Sequence, residues 1–162
     1  MKRITPDHRT LCRISLVTLG FLMILTGCQL FDPEQTLHMA ALKGQVRAAK
    51  RFINDGVSVN AEGPDGVRPL HYAVIGNRNN MIGFLLDQGA DVNAEDNHAS
   101  TPVHWAAWKG NVAVAELLIT RGANVNVANE RGMTPLDWAI ERGHSEMAAL
   151  IRKHGGVQGV RD

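Results

Sequence analysis

The chain has 162 residues, with 44% hydrophobic and 20% charged content, which suits one globular domain with some appended sequence. Its net charge of +1 is uneven: residues 1–27 hold Lys2, Arg3, Arg9 and Arg13 against Asp7, leaving 13 basic and 15 acidic side chains in the remainder. A weakly acidic domain lacks the cationic footprint that phosphate neutralisation requires, so nucleic acid is excluded as an expected partner.

The basic stretch Met1–Arg13 precedes an apolar run, Ile14–Leu25. Twelve helical residues span roughly 18 Å, too short for a bilayer core of about 30 Å but suited to the apolar region of a secretory signal peptide. Leu25-Thr26-Gly27-Cys28 follows and resembles the lipobox of bacterial lipoproteins. That resemblance implies a diacylglyceryl group on the Cys28 thiol, cleavage that removes residues 1–27, and acylation of the new amine. An uncleaved anchor ending at Cys28 is the alternative, and the short apolar run weighs against it. Gln29, by resemblance to enterobacterial sorting patterns, points to the periplasmic face of the outer membrane over the inner membrane. Residues 28–33 form a short tether, and about seven extended residues reach at most roughly 25 Å. Neither Cys12 nor Cys28 falls in the region that reads as folded, so that region has no disulfide framework or cysteine-based zinc site.

From residue 34 the chain repeats itself. Thr36-Leu37-His38-Met39-Ala40, Pro69-Leu70-His71-Tyr72-Ala73, Pro102-Val103-His104-Trp105-Ala106 and Pro135-Leu136-Asp137-Trp138-Ala139 start 33 residues apart. The segments 52–61, 85–94 and 118–127 share an apolar pair, a glycine and a Val-Asn, and 151–158 keeps little of that pattern. This period and these motifs resemble the ankyrin family, whose repeat is a β-turn and two antiparallel helices. The resemblance implies an all-α fold, an α-solenoid of four ankyrin repeats over residues 34–158, divided near 34–62, 63–95, 96–128 and 129–158, with a tail at 159–162.

Within each unit the residues suggest their roles. Thr101 and Thr134 suit helix caps, and Pro102 and Pro135 the first helical position, where no N–H is needed. Gly44, Asn77, Gly110 and Gly143 suit a left-handed residue after the first helix, and Gly56, Gly89, Gly122 and Gly155 one after the second. Phe52/Ile53, Leu85/Leu86 and Leu118/Ile119 read as pairs buried between repeats. Arg152 replaces the apolar residue in the last copy, which reads as a C-terminal cap. The first copy has Gln35-Thr36 where later copies have Thr-Pro, so its helix start is the least defined.

His38, His71 and His104 recur, but stacked repeats lie about 10 Å apart, too far for shared coordination at about 2 Å. The resemblance gives them a role in joining adjacent turns, and Asp137 replaces them where no following turn needs bridging. No metal or cofactor is expected. No nucleophile elbow, P-loop, zinc-protease helix or dinucleotide glycine pattern occurs. Asp65 with Glu62, and Asp96 with Glu95, read as charged tips of solvated turns, so the chain is not expected to be an enzyme.

Met39, Tyr72, Trp105 and Trp138 occupy one slot, which reads as core. Trp108 stands apart at a variable position before Gly110, beside Lys109, where other copies have Leu42, Ile75 and Glu141. In ankyrin domains such positions, with the turn tips, line the concave surface that engages partners. Trp108 and Lys109 are therefore the centre of the expected surface, with burial of the indole by a neighbouring side chain as the alternative reading of Trp108. Ile75, Asn97, His98 and Ser100 lie to one side of them, and Glu130, Arg131, Met133, Glu141 and Arg142 toward the C-terminal end. Mixed charge with scattered apolar groups suits a protein partner. The leading expectation is a membrane-anchored adaptor, monomeric as a domain, binding another envelope protein. An immunity or inhibitor protein against a periplasmic toxin or hydrolase is the alternative, and envelope oxidative-stress protection a weaker one.

Overall fold

The computed structural model describes residues 33–160, so the expected signal segment, Cys28 and most of the expected tether lie outside the described residues. Eight α-helices occur among the described residues: α1 (Pro33–Lys43), α2 (Val46–Asn54), α3 (Pro69–Ile75), α4 (Asn79–Asp87), α5 (Pro102–Lys109), α6 (Val112–Thr120), α7 (Pro135–Glu141) and α8 (Ser145–Lys153). Connections of two or three residues within each pair force the two helices to run antiparallel. The first helices α1, α3, α5 and α7 pack on one another in order, as do α2, α4, α6 and α8. This is the expected solenoid of helical hairpins.

The ends of the helices explain the periodic glycines. After α5, Gly110 takes φ +70°; its N–H donates to the Ala107 carbonyl, and that of Asn111 to Ala106. After α4, Gly89 takes φ +87°, with Gly89 N–H on Leu86 and Ala90 N–H on Leu85. These are paired Schellman bonds, which satisfy the last helix carbonyls and need a left-handed residue. Asn77 adopts φ +56° in the same role, as expected. Helix starts follow the Thr-Pro signal at α5 and α7, whereas α1 opens at Pro33, upstream of Thr36.

Small and apolar residues form one core: Leu37, Ala40, Leu70, Ala73, Val103, Ala106, Leu136 and Ala139 from the first helices, and Met81, Leu85, Val114, Leu118, Met147 and Ile151 from the second. The first member of each apolar pair goes deepest in the later repeats, while Leu86 and Ile119 are half-buried. Arg152 is exposed, as a cap requires.

Polar clips join the repeats. His71 Nδ1 accepts the Arg68 N–H, which fixes its proton on Nε2, and Nε2 donates to the Ser100 carbonyl at 3.2 Å. His104 repeats this with Thr101 N–H and the Met133 carbonyl, and His38 Nε2 reaches the Ala61 carbonyl. A second clip comes from asparagine. Asn93 donates to the Gly122 carbonyl and accepts the Asn124 N–H; Asn60 and Asn126 do the same one repeat before and after.

Three readings of the sequence need correction here. Met39 is 43% exposed instead of core, because the later members of its slot pack on the previous repeat and none precedes Met39 among the described residues. Tyr72 sits edge-on to His38, and Trp138 edge-on to His104. Asp96 is a buried group, 7% exposed, and not a solvated tip: its Oδ1 accepts the N–H groups of His98 and Ser100 and so shapes the turn. Asp137 does bridge a following segment. Its Oδ2 accepts the Gly159 N–H at 2.8 Å, Gln158 donates to Oδ1, and the Thr134 hydroxyl donates to the Val157 carbonyl. A side chain at Gly159 would collide with the Gly132 carbonyl, so glycine there lets the tail lie against the last turn.

Candidate partner-binding surface

The surface around Trp108 is built from two repeats. Trp105 and Trp138 hold equivalent positions on α5 and α7, with ring centroids 6.1 Å apart at 74°. Trp108, one helical turn beyond Trp105, meets it edge-on at 6.1 Å and 70°. Edge-to-face geometry is favourable for aromatic rings and fixes their orientation. Arg142 places its guanidinium 4.4 Å from the Trp108 ring centroid, and Lys109 its ammonium at 5.0 Å. Both lie within the range of cation–π attraction. The Trp108 carbonyl accepts from His144 Nε2, which ties the end of α5 to the start of α8. Arg78 does the same to Leu42, and Asn111 pairs with Asn77.

The turns supply the second part. Asn97 N–H donates to the Asp65 carbonyl and Glu130 N–H to the His98 carbonyl, so successive turn tips are joined by backbone bonds. The His98 and Glu130 side chains face each other at 3.4 Å, both exposed. Trp105 Nε1 donates to Asp96 Oδ2 at 3.1 Å, which anchors the tryptophan cluster to this turn. Trp138 Nε1 is buried and has no acceptor among the described residues.

Of the expected residues, Lys109, Asn97, His98, Glu130, Arg131, Glu141 and Arg142 are exposed, and Trp108 and Ile75 are half-buried. Trp108, Lys109 and Arg142 come together directly, as do His98 and Glu130. Two residues are corrected. Ser100 and Met133 are 2% and 3% exposed, because each gives its N–H to Asp96 or Asn129 and its carbonyl to a histidine, which turns its side chain inward. Neither is part of an open surface. Glu141 lies instead on a recess of about 530 Å³ shared with Asp137, Ile140, Gln158 and Gly159. Sequence reasoning missed Trp105, Trp138 and Ile140; the aromatic slot signalled the first two, and nothing signalled that Ile140 would be 41% exposed.

Electrostatics separate framework from surface. Burial drives the His71 pKa down to about 4, outweighing the attraction of Asp96, and lowers that of His104 for the same reason. Both are neutral clips at ordinary pH. Burial pushes the Asp137 carboxyl upward, but donors from Gly159, Thr134 and Gln158 prevail and hold it below the usual range. Among the described residues, no group of three or more His, Cys, Asp or Glu side chains is placed to hold a metal ion, and no helix is long and apolar enough to cross a membrane.

A family model described as ankyrin repeats (3 copies) matches residues 16–96 and 95–162. A search of curated proteins finds no match. Given that match, the 33-residue period, the stacked hairpins and the histidine clips between them, the chain belongs to the ankyrin-repeat family of protein–protein interaction modules.

Proposed function

We propose that this protein is a lipid-anchored adaptor of the bacterial cell envelope, holding another envelope protein against the surface centred on Trp108. The observation that carries the binding site is Trp108 itself. Its indole is half-buried, braced by Trp105 on one edge and attended by Lys109 and Arg142. A large ring already ordered before binding loses little entropy on contact, which is why tryptophan dominates many interfaces. The cations Lys109 and Arg142 at the ring, with the exposed His98, Glu130 and Arg131 on the neighbouring turns, suit a folded protein with matching charges. The support for the anchor is the Leu25-Thr26-Gly27-Cys28 sequence after a signal-like apolar run.

The test is crosslinking in intact cells, followed by mass spectrometry of captured proteins. Trp108→Ala should weaken capture by roughly 2 kcal/mol or more. The fold should survive, because the Trp108 carbonyl that binds His144 is kept. Cys28→Ser should leave the membrane fraction and lose those partners that need proximity. Unchanged capture by Trp108→Ala, Lys109→Ala and Arg142→Ala together would show that this surface is not the one used.

A further inference from the structure

The second helix of the first repeat, α2, carries Arg47, Lys50 and Arg51, all exposed. Their i, i+3, i+4 spacing sets three cations on one helix face, and like charges so placed weaken a helix. Lys43, exposed at the end of α1, adds a fourth across the two-residue turn. None of the four takes part in an ion pair among the described residues, where Arg68–Glu62, His98–Glu130 and Arg121–Asp87 are the pairs found. The later repeats do not share the α2 pattern, although Lys109 and Arg142 recur at the Lys43 position in the third and fourth. Asn80, Ala113 and Glu146 occupy the Arg47 position, and Gly83, Glu116 and Ala149 that of Lys50. The repeat fold therefore does not require cations at positions 47 and 50 of α2, and like charges at this spacing weaken that helix.

We propose that this cationic face of the first repeat docks on the anionic phospholipid headgroups of the membrane that holds the chain. The location rests on the lipid-anchor reading above, while the charge pattern stands independently of it. Cys28 precedes the first residue of α1 by five residues, a reach of at most roughly 18 Å. The eleven residues of α1 add roughly 16 Å, and α2 returns alongside it. The chain between a lipid on Cys28 and these cations is thus short, and they belong to the first repeat that follows such an anchor in sequence. Acyl chains and a polybasic patch are complementary membrane signals, the patch acting within about a Debye length of the surface. Docking by the first repeat would leave Trp108 and Arg142, in the third and fourth, at the far end of the stack and open to a partner.

The experiment measures binding of the full chain carrying Cys28→Ser to two kinds of vesicle. One is phosphatidylcholine alone, and the other has one part in four phosphatidylglycerol. The ratio of the two affinities cancels the contribution of the apolar run, and the cations of residues 1–27, present in every variant, add equally to each ratio compared. Replacing Lys43, Arg47, Lys50 and Arg51 by glutamine should lower that ratio by at least ~10-fold, since each cation near such a surface is worth about a fivefold gain. Replacing Arg152 and Lys153, at the other end of the stack, by glutamine should leave the ratio unchanged. A ratio untouched by the four glutamines would overturn the proposal, as would an equal fall in the Arg152/Lys153 variant. Far-UV circular dichroism confirms that each variant is folded. Palmitate incorporation at Cys28 is measured separately in cells, so failure of the anchor and failure of the cationic face give different results.

Discussion

Trp138 offers a sharp test of how the repeats are held together. Its Nε1–H is buried without an acceptor, whereas Trp105, 33 residues earlier, donates to Asp96 Oδ2. The difference lies in one atom. Asp96 uses Oδ1 to accept two turn N–H groups and keeps Oδ2 for the indole. Asn129, 33 residues after Asp96, uses Oδ1 for the N–H groups of Arg131 and Met133, and its other terminal atom is an amide nitrogen that can only donate. A donor therefore stands where the indole needs an acceptor. Asn129→Asp changes that atom with almost no change of shape.

The magnitude follows from the burial. An unsatisfied buried donor costs about 1–3 kcal/mol, and a hydrogen bond to a charged acceptor contributes about 1.5–3 kcal/mol. Against this stands desolvation of the carboxylate, which Asp96 already tolerates at the same 7% exposure as Asn129. A net stabilisation of about 1–2 kcal/mol is expected, or roughly 3–8 °C in Tm for a domain of this size. Urea unfolding at neutral pH should show a raised midpoint with an unchanged slope. A double-mutant cycle with Trp138→Phe assigns the effect, because phenylalanine has no N–H to satisfy. An equal gain in the Trp138→Phe background, or a loss of stability from Asn129→Asp, would refute the reasoning. The mirror change, Asp96→Asn, should orphan the Trp105 indole and destabilise by a similar amount.

Acid should weaken the stack before it titrates ordinary carboxylates. His71 is held neutral with a pKa near 4 against 6.5 for the free side chain, so between these values the unfolded chain binds a proton that the folded one refuses. Its contribution, about 3 kcal/mol at 1.36 kcal/mol per pH unit, is complete above 6.5 and lost as pH falls toward 4, with His104 acting in the same direction. Asp137 acts lower: its depressed pKa stabilises above 3.8 and that contribution disappears below it. Urea midpoints taken from about pH 7.5 to about pH 4 should fall steadily, and a flat profile would contradict the neutral-clip assignment. Asn93→Ala removes a donor and an acceptor between the second and third repeats and should cost about 1–3 kcal/mol by urea unfolding. Asp137→Ala strips the acceptor from the N–H groups of Thr134 and Gly159, and should both destabilise by about 1–3 kcal/mol and release the tail to proteolysis after Val157.

Much of the fold was legible because ankyrin framework residues answer local demands. A left-handed φ selects glycine or asparagine, so Gly110, Gly143 and Asn77 announce where their helices end. Proline after threonine announces where α5 and α7 begin. Side-chain direction in the turns was less legible, since neighbouring turn residues face opposite ways and carry similar types. Ser100 and Met133 resemble outward turn residues on that account, and Asp96 a solvated tip, although all three belong to the inner hydrogen-bond scheme. The asparagine clips at Asn60, Asn93 and Asn126 look like ordinary loop asparagines until their partners one repeat away are known. Trp108 and Lys109 were visible because their slot varies, while the stacking that orders Trp108 depends on Trp105 and on Arg142 from the next repeat.

Two departures from the 33-residue period at the ends of the stack have structural reasons. Met39 has no earlier repeat to pack on among the described residues, and Asp137 receives N–H groups from a tail in place of a full repeat. In the middle every neighbour is present, so a departure needs another explanation. Trp108 is such a case: Ile75 fills its slot one repeat earlier, and the hairpin folds the same way around it. Packing of the third repeat is served by Val103, Ala106, Ala107 and Leu118, all fully buried. The indole is surplus to that core. A large, ordered and half-open ring that the core does not require is the feature on which the proposed partner contact rests.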